Sequence, residues 1–265
     1  MKTIIQLLFV TVFSLSLNAQ VANVDLYVIH EGKEDSYLKL EEIWKEFHQE
    51  AVDNGEKLGW AAWKVDSYDG KEMKNTYAVF NLFESEEQMK NANWDQKAFM
   101  SIVKRRLKGK MSSSYINKIT RMNVKKESYS MQIKAVDLTP LVGGDIKVGD
   151  KAFWNGMVQL KEDYEQWETE FWKPIVMKNV MEGRQMQWVF TKVLSKNEAM
   201  EKANPDMTHV TWNFLSKEQA EARNNGQSNQ QWDFTTQKLF GLLSESVKMQ
   251  PAANATLVMA CLLYT

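Results

Sequence analysis

The stretch Tyr27 to Val65, YVIHEGKEDSYLKLEEIWKEFHQEAVDNGEKLGWAAWKV, decides the fold because it returns 128 positions later as Asn155 to Val193. Lys33-Glu34-Asp35 falls on Lys161-Glu162-Asp163, Trp44-Lys45 on Trp172-Lys173, Val52 on Val180 and Gly55 on Gly183. Trp60 falls on Trp188, and Lys64-Val65 on Lys192-Val193. The alignment takes no gap and matches two tryptophans, a rare residue, so an internal duplication is the economical reading. Further on the spacing drifts by loop-sized steps, with Asn81 meeting Asn213, Glu87-Gln88 meeting Glu218-Gln219 and Trp94-Asp95 meeting Trp232-Asp233. Pro140, Gly143, Gly144 and Gly149 mark a connector between the copies. The expected organisation is a leader over 1–19, a first unit over 21–138, a linker over 139–151 and a second unit over 152–265.

Apolar periodicity gives each unit its elements. Val24 to Ile29 alternates as a strand, and Tyr37, Leu40, Ile43, Trp44, Phe47 and Ala51 recur at helical spacing. Gly55 and Gly183 end their helices, where a left-handed backbone suits glycine. Leu58 to Val65 and Tyr77 to Phe83 read as strands around an Asp69-Gly70 turn, and Ser85 with Gln88 as a capping box. Trp94 to Leu107 and Ser112 to Met122 follow as helices, and Tyr129 to Leu138 as the closing strand. The second unit repeats the order with Trp154 to Leu160, a helix from Tyr164, Met186 to Val193, His209 to Leu215, a helical region through Leu243 and Ala255 to Leu263. Pro174 stands where the first unit has Glu46, which predicts a kink or a late helix start. The fold class expected is α+β: two tandem ferredoxin-like βαββαβ units. Leu58, Trp60 and Ala62, with Met186, Trp188 and Phe190, lie on one side of their strands, and each unit is expected to cover the other's apolar face.

The chain of 265 residues has a net charge of −1 and carries ten Trp, twelve Phe and eight Tyr. That is material for two cores, and the balanced charge gives no footprint for nucleic acid or an anionic membrane. The basic run Lys104, Arg105, Arg106, Lys108 and Lys110 is expected to solvate a helix end before Gly109. Lys2, the apolar run Ile4 to Val12 and Ala19 before Gln20 have the layout of a secretory signal cleaved near Ala19-Gln20, shorter than the roughly 20 apolar residues of a membrane span. No cysteine follows Ala19 or Gln20, so the expected product is free of a lipid anchor, in the periplasm or outside the cell. Cys261 is alone and cannot form an intrachain disulfide.

The tandem copies and their strand order resemble the dimeric α/β-barrel superfamily, in which two ferredoxin-like sheets pack face to face. More closely, Asn18-Ala19-Gln20, Glu42 to Val65 and Leu141-Val142-Gly143-Gly144 through Ala152 look like a set of uncharacterised exported bacterial proteins, which implies export and no activity. The superfamily includes cofactor-independent monooxygenases, haem degraders, chlorite-dismutase and dye-peroxidase relatives, and stress proteins without assigned chemistry. Its haem degraders imply an Asn on the first strand, a Trp in the sheet and a His on a helix. Asn155 and Trp188 fit in the second unit, where the only histidine is His209, on a strand. His48 and Trp60 fit in the first unit, whose first strand is read from Val24 and contains no Asn.

Catalytic signatures are missing from this reading. His30, His48 and His209 fall in different elements, so no metal site is expected, and His48 is expected at the surface or half-buried. The candidate ligand-binding residues are the repeated pairs Trp60/Trp188 and Asn81/Asn213, with His209. Aromatic walls bearing one or two amides suit a flat, weakly polar molecule, although the same residues could serve only the core. The function expected is non-catalytic binding of a small apolar or aromatic ligand, or of a partner, without a cofactor. The alternative implied by the resemblance is a cofactor-independent monooxygenase or a haem-handling enzyme.

Overall fold

The computed structural model describes residues 20–92, 95–225 and 232–262. The leader with its cleavage position, Trp94 and Leu263 lie outside the described residues. The first half contains β1 (Val21–Ile29), α1 (Glu34–Asp53), β2 (Gly59–Tyr68), β3 (Lys71–Glu72), β4 (Thr76–Phe83), α2 (Glu86–Asn91), α3 (Gln96–Arg106), α4 (Ser113–Thr120) and β5 (Lys125–Leu138). The second contains β6 (Lys151–Gln159), α5 (Tyr164–Gln166), a π-helical turn (Trp167–Trp172), α6 (Lys173–Met181), β7 (Gln187–Lys196), α7 (Glu198–Ala203), β8 (His209–Leu215), α8 (Lys217–Asn224), α9 (Phe234–Ser246) and β9 (Val247–Leu262). Among the described residues no helix is long and apolar enough to cross a membrane.

The strands form one antiparallel sheet in the order β3-β2-β4-β1-β5-β7-β8-β6-β9, and β2 pairs with β9. Eight strands thus close into a barrel, with the short β3 attached to β2. Each half supplies four neighbours, β2-β4-β1-β5 and β7-β8-β6-β9, and the seams are β5–β7 and β2–β9. Closure gives each strand of the eight-stranded ring a neighbour on both sides.

The two sheets close on each other as this ring, and the faces assigned to β2 and β7 are the reverse of those expected. The barrel interior holds Ala61, Trp63 and Val65 of β2 with Phe80, Met131, Trp154, Trp212 and Leu257. Trp60 and Ala62, like Trp188 and Phe190, belong instead to clusters outside the ring, with helix α1 against β2 in the first half and the π turn and α9 in the second. Alternation could not reveal this, because Gly59 to Trp63 is buried on both sides.

Local ties recur in both halves. Gly55 and Gly183 have φ of +71° and +72°. Each offers its carbonyl to a glutamine side chain, Gln88 at 3.0 Å and Gln219 at 2.8 Å. Asp69 and Gly70 both have positive φ, as a two-residue hairpin turn of this hand requires. Ser85 caps Gln88 N at 3.1 Å, but the Gln88 side chain accepts from Glu84 N; the reciprocal box is completed only by Ser216 and Gln219. The basic run is tied to α1, with Arg106 bonded to Glu46, Glu50 and Asp53.

Pro174 lies in the first turn of α6, immediately after the π turn, where a proline costs little. The π turn also exposes a slip hidden by the gapless alignment. Tyr37 packs on Tyr77 with ring centres 4.5 Å apart, and Tyr164 packs on His209 at 5.2 Å. Tyr164 therefore matches Tyr37 at a spacing of 127, and the extra residue of the π turn restores 128 by Trp172.

Candidate functional site

A cavity of about 880 Å³ lies outside the second half of the ring, between β6–β9 and the helical segments that carry Glu168, Val176, Ala222 and Phe240. Trp172, Trp188, Phe240 and Leu243 make its wall largely apolar. Trp188 is fully buried, and its indole Nε1 has no hydrogen-bond partner. Its cross-strand neighbour Asn213 accepts from Gln185 Nε2 at 3.0 Å. Glu168 comes from the π turn and is only 3% exposed. Its Oε1 accepts from the Tyr164 hydroxyl at 3.1 Å, whereas Oε2 has no partner. Burial raises the Glu168 pKa to about 7, against the opposing hydrogen bond from Tyr164. The wall thus combines an unused N–H donor with a carboxyl able to donate or accept near neutral pH.

The first half has a smaller cavity of about 430 Å³ in the matching place, lined by Asn23, Glu41, His48, Lys57, Trp60 and Asn81 among others. Trp60 is fully buried and its Nε1 is also unpartnered. The His48 ring is stacked with Trp44 at 5.6 Å and with Trp60 at 5.3 Å. Lys57 Nζ lies 3.1 Å from His48 Nδ1 and donates to Asn81 Oδ1 at 2.8 Å. Burial lowers the Lys57 pKa to about 8, and burial followed by the charge of Lys57 holds His48 well below the usual imidazole range. Glu41 is raised to about 7 by burial, partly offset by Lys125.

The fold brings Trp60 to Asn81 and Trp188 to Asn213, each pair on one cavity wall. His209 joins neither. It is buried against Tyr164 and Phe190, with Nε2 3.1 Å from Glu165 Oε1 and Nδ1 2.9 Å from the Thr208 hydroxyl. Two earlier readings are corrected. His48 is 9% exposed, because α1 turns it onto the sheet, and β1 begins at Val21, which places Asn23 on the first strand beside Trp60 and His48. Glu168 and Glu41 were missed, although Tyr-x-x-x-Glu recurs at Tyr37–Glu41 and Tyr164–Glu168. Cys261 is buried opposite Trp60 on β9, and desolvation pushes its thiol up to about 12, out of nucleophilic use. Among the described residues no group of three or more His, Cys, Asp or Glu is placed to hold a metal ion.

No protein-family model matches this sequence, and no curated protein matches it either. Solved structures do match the fold. A proposed monooxygenase of Fusobacterium nucleatum has a TM-score of 0.57 at 10% identity, over 92% of this chain and 94% of its own. A proposed monooxygenase of Lactobacillus acidophilus gives 0.52 at 9% identity, over 93% and 100%. An anthrone oxidase-like protein gives 0.51 at 14%, over 92% and 93%. At these identities the likeness is one of fold alone.

The larger cavity has no His, Cys or Tyr among its described lining residues to bind iron. The smaller one has both His48 and Tyr27 in its lining, residue types that can ligate iron, with Lys57 Nζ 3.1 Å from His48 Nδ1.

Proposed function

We propose that this is an exported protein made of two copies of a ferredoxin-like unit, and that its second half binds a small, flat, mostly apolar molecule in the cavity beside Trp188. The observation that carries this reading is the pair of buried, unpartnered polar atoms, Trp188 Nε1 and Glu168 Oε2, on residues of one aromatic wall. Buried polar groups without partners are costly, and a ligand bearing a hydroxyl or carbonyl would satisfy both. The recurrent strand order, glycine caps and Gln–Gly ties support the duplication. Titrating the full chain with 1-naphthol and following tryptophan fluorescence tests the reading. Saturable binding that weakens in Glu168→Gln is expected, and a linear, unsaturating response sinks it.

A second reading is a cofactor-independent monooxygenase. The Glu168 carboxyl, with a pKa of about 7 in an apolar wall, is suited to accept a proton from a phenol-like or anthrone-like substrate, with dioxygen as the oxidant. Oxygen uptake with anthrone tests it: consumption that falls in Glu168→Gln supports catalysis, and uptake no faster than in buffer leaves binding alone.

A further inference from the structure

Lys57 is 6% exposed, yet among the described residues no carboxylate lies within ion-pair distance of it. Its partners are neutral: the Asn81 amide oxygen, the His48 ring and, 5.1 Å away, the face of Phe83. An ammonium removed from water without a counter-charge is expensive. The second half shows that the fold itself does not require it. Gln185 stands at the corresponding position, 128 residues on, and makes the corresponding bond to Asn213 with a neutral amide. Val176 likewise replaces His48 at that spacing. The positive charge is therefore additional to the structural bond, and it lines the same cavity as the unpartnered Trp60 Nε1 donor.

We infer that the cavity of the first half is a binding site for a small organic anion, a carboxylate whose oxygens take hydrogen bonds from Lys57 Nζ and Trp60 Nε1 and whose apolar part lies against Trp44, Phe47 and Phe83. The acidic groups of the wall do not oppose this. Asp25 pairs with Val79, two strand residues from Asn81, and Glu41, on α1, acts on Tyr27 and Asp25. Glu41 has Lys125 for a neighbour, and Asp25 accepts from Asn23 and Ser130. Glu56 is exposed and accepts from Asn54 at 3.3 Å, and its charge, like the Cys261 thiol, acts on Lys57 without a hydrogen bond or ion pair and less strongly than burial. The carboxylate charge balances the buried ammonium, as charge-assisted hydrogen bonds do in closed sites.

This inference is independent of the larger cavity, and the test keeps the two apart. The full chain is titrated calorimetrically with acetate, benzoate and the neutral analogue benzamide. Benzoate or acetate should bind, benzamide should not, and Lys57→Gln, which copies the second half, should weaken the anion about tenfold or more while leaving 1-naphthol binding unchanged. Should Lys57→Gln fail to fold, Trp60→Phe and wild-type titrations from pH 7 to 10 replace it. Both losing the anion, the latter as the ammonium deprotonates, is the supporting result. Absence of binding by both anions, equal binding of benzamide, or an undiminished affinity in Lys57→Gln overturns the inference.

Discussion

His209 and Tyr77 occupy matching places in opposite halves of the ring: His209 Nε2 lies 3.1 Å from Glu165 Oε1, which Lys192 also holds, and Tyr77 donates to Glu34 Oε1 at 2.7 Å, which Lys64 also holds. The histidine thus has a packing role, and burial lowers its pKa despite the opposing effect of Glu165. With the folded value below the unfolded one of about 6.5, the unfolded chain takes up the proton first as the solution is acidified. Stability is full above that unfolded value and declines as pH falls below it. In His209→Gln the decline between pH 7.5 and 5, measured by urea unfolding, should be shallower, with His48 still contributing in the same direction. His209→Ala should cost about 2–4 kcal/mol by opening a hole against Tyr164 and Phe190.

Glu168 has the opposite sign. Its folded pKa of about 7 exceeds the ordinary carboxyl value of 4.5, so the folded state keeps its proton longer and stability falls as pH rises through that interval. Glu168→Gln removes the cost of a buried charge. The variant should be more stable than wild type by about 1–3 kcal/mol at pH 8 and should lose that advantage at pH 4.5, as read from paired denaturation curves.

Trp188→Phe deletes the unpartnered Nε1 while keeping an aromatic wall. Its affinity for 1-naphthol should drop about tenfold, with unfolding free energy changed by less than about 2 kcal/mol, because the indole donor lacks a partner in the ligand-free protein. Fluorescence titration and urea melts on the same preparation decide this.

Gly59 sits on the β2–β9 seam, where an added Cβ would come within 2.7 Å of Leu262 Cδ2 and 3.2 Å of the Cys261 carbonyl oxygen. The leucine end can move, but the backbone oxygen cannot easily do so. Gly59→Val should therefore destabilise the protein by about 1–3 kcal/mol and speed amide exchange along both seam strands, measurable by hydrogen–deuterium exchange.

Much of this architecture was legible in the sequence because rare residues repeat at one spacing. Trp60/Trp188 and Asn81/Asn213 were found that way, and each pair lines a cavity. The facing of β2 was not legible, since Trp60 and Trp63 are both buried and period-two alternation disappears when both sides of a strand are covered. Glu168 escaped for a different reason: the π turn compensates a one-residue slip, so an ungapped comparison sets Tyr37 against Glu165 instead of Tyr164. His209 was singled out for its chemistry, but its ring is spent on Glu165 and Thr208.

The ring closes twice within one polypeptide, at β5–β7 and at β2–β9. In a symmetric pair of identical subunits any substitution is copied to both sides, so unlike sites cannot coexist. Covalent continuity lifts that constraint: lysine at one address and glutamine at the other are inherited together, always in equal number, giving a single polypeptide two cavities of different polarity.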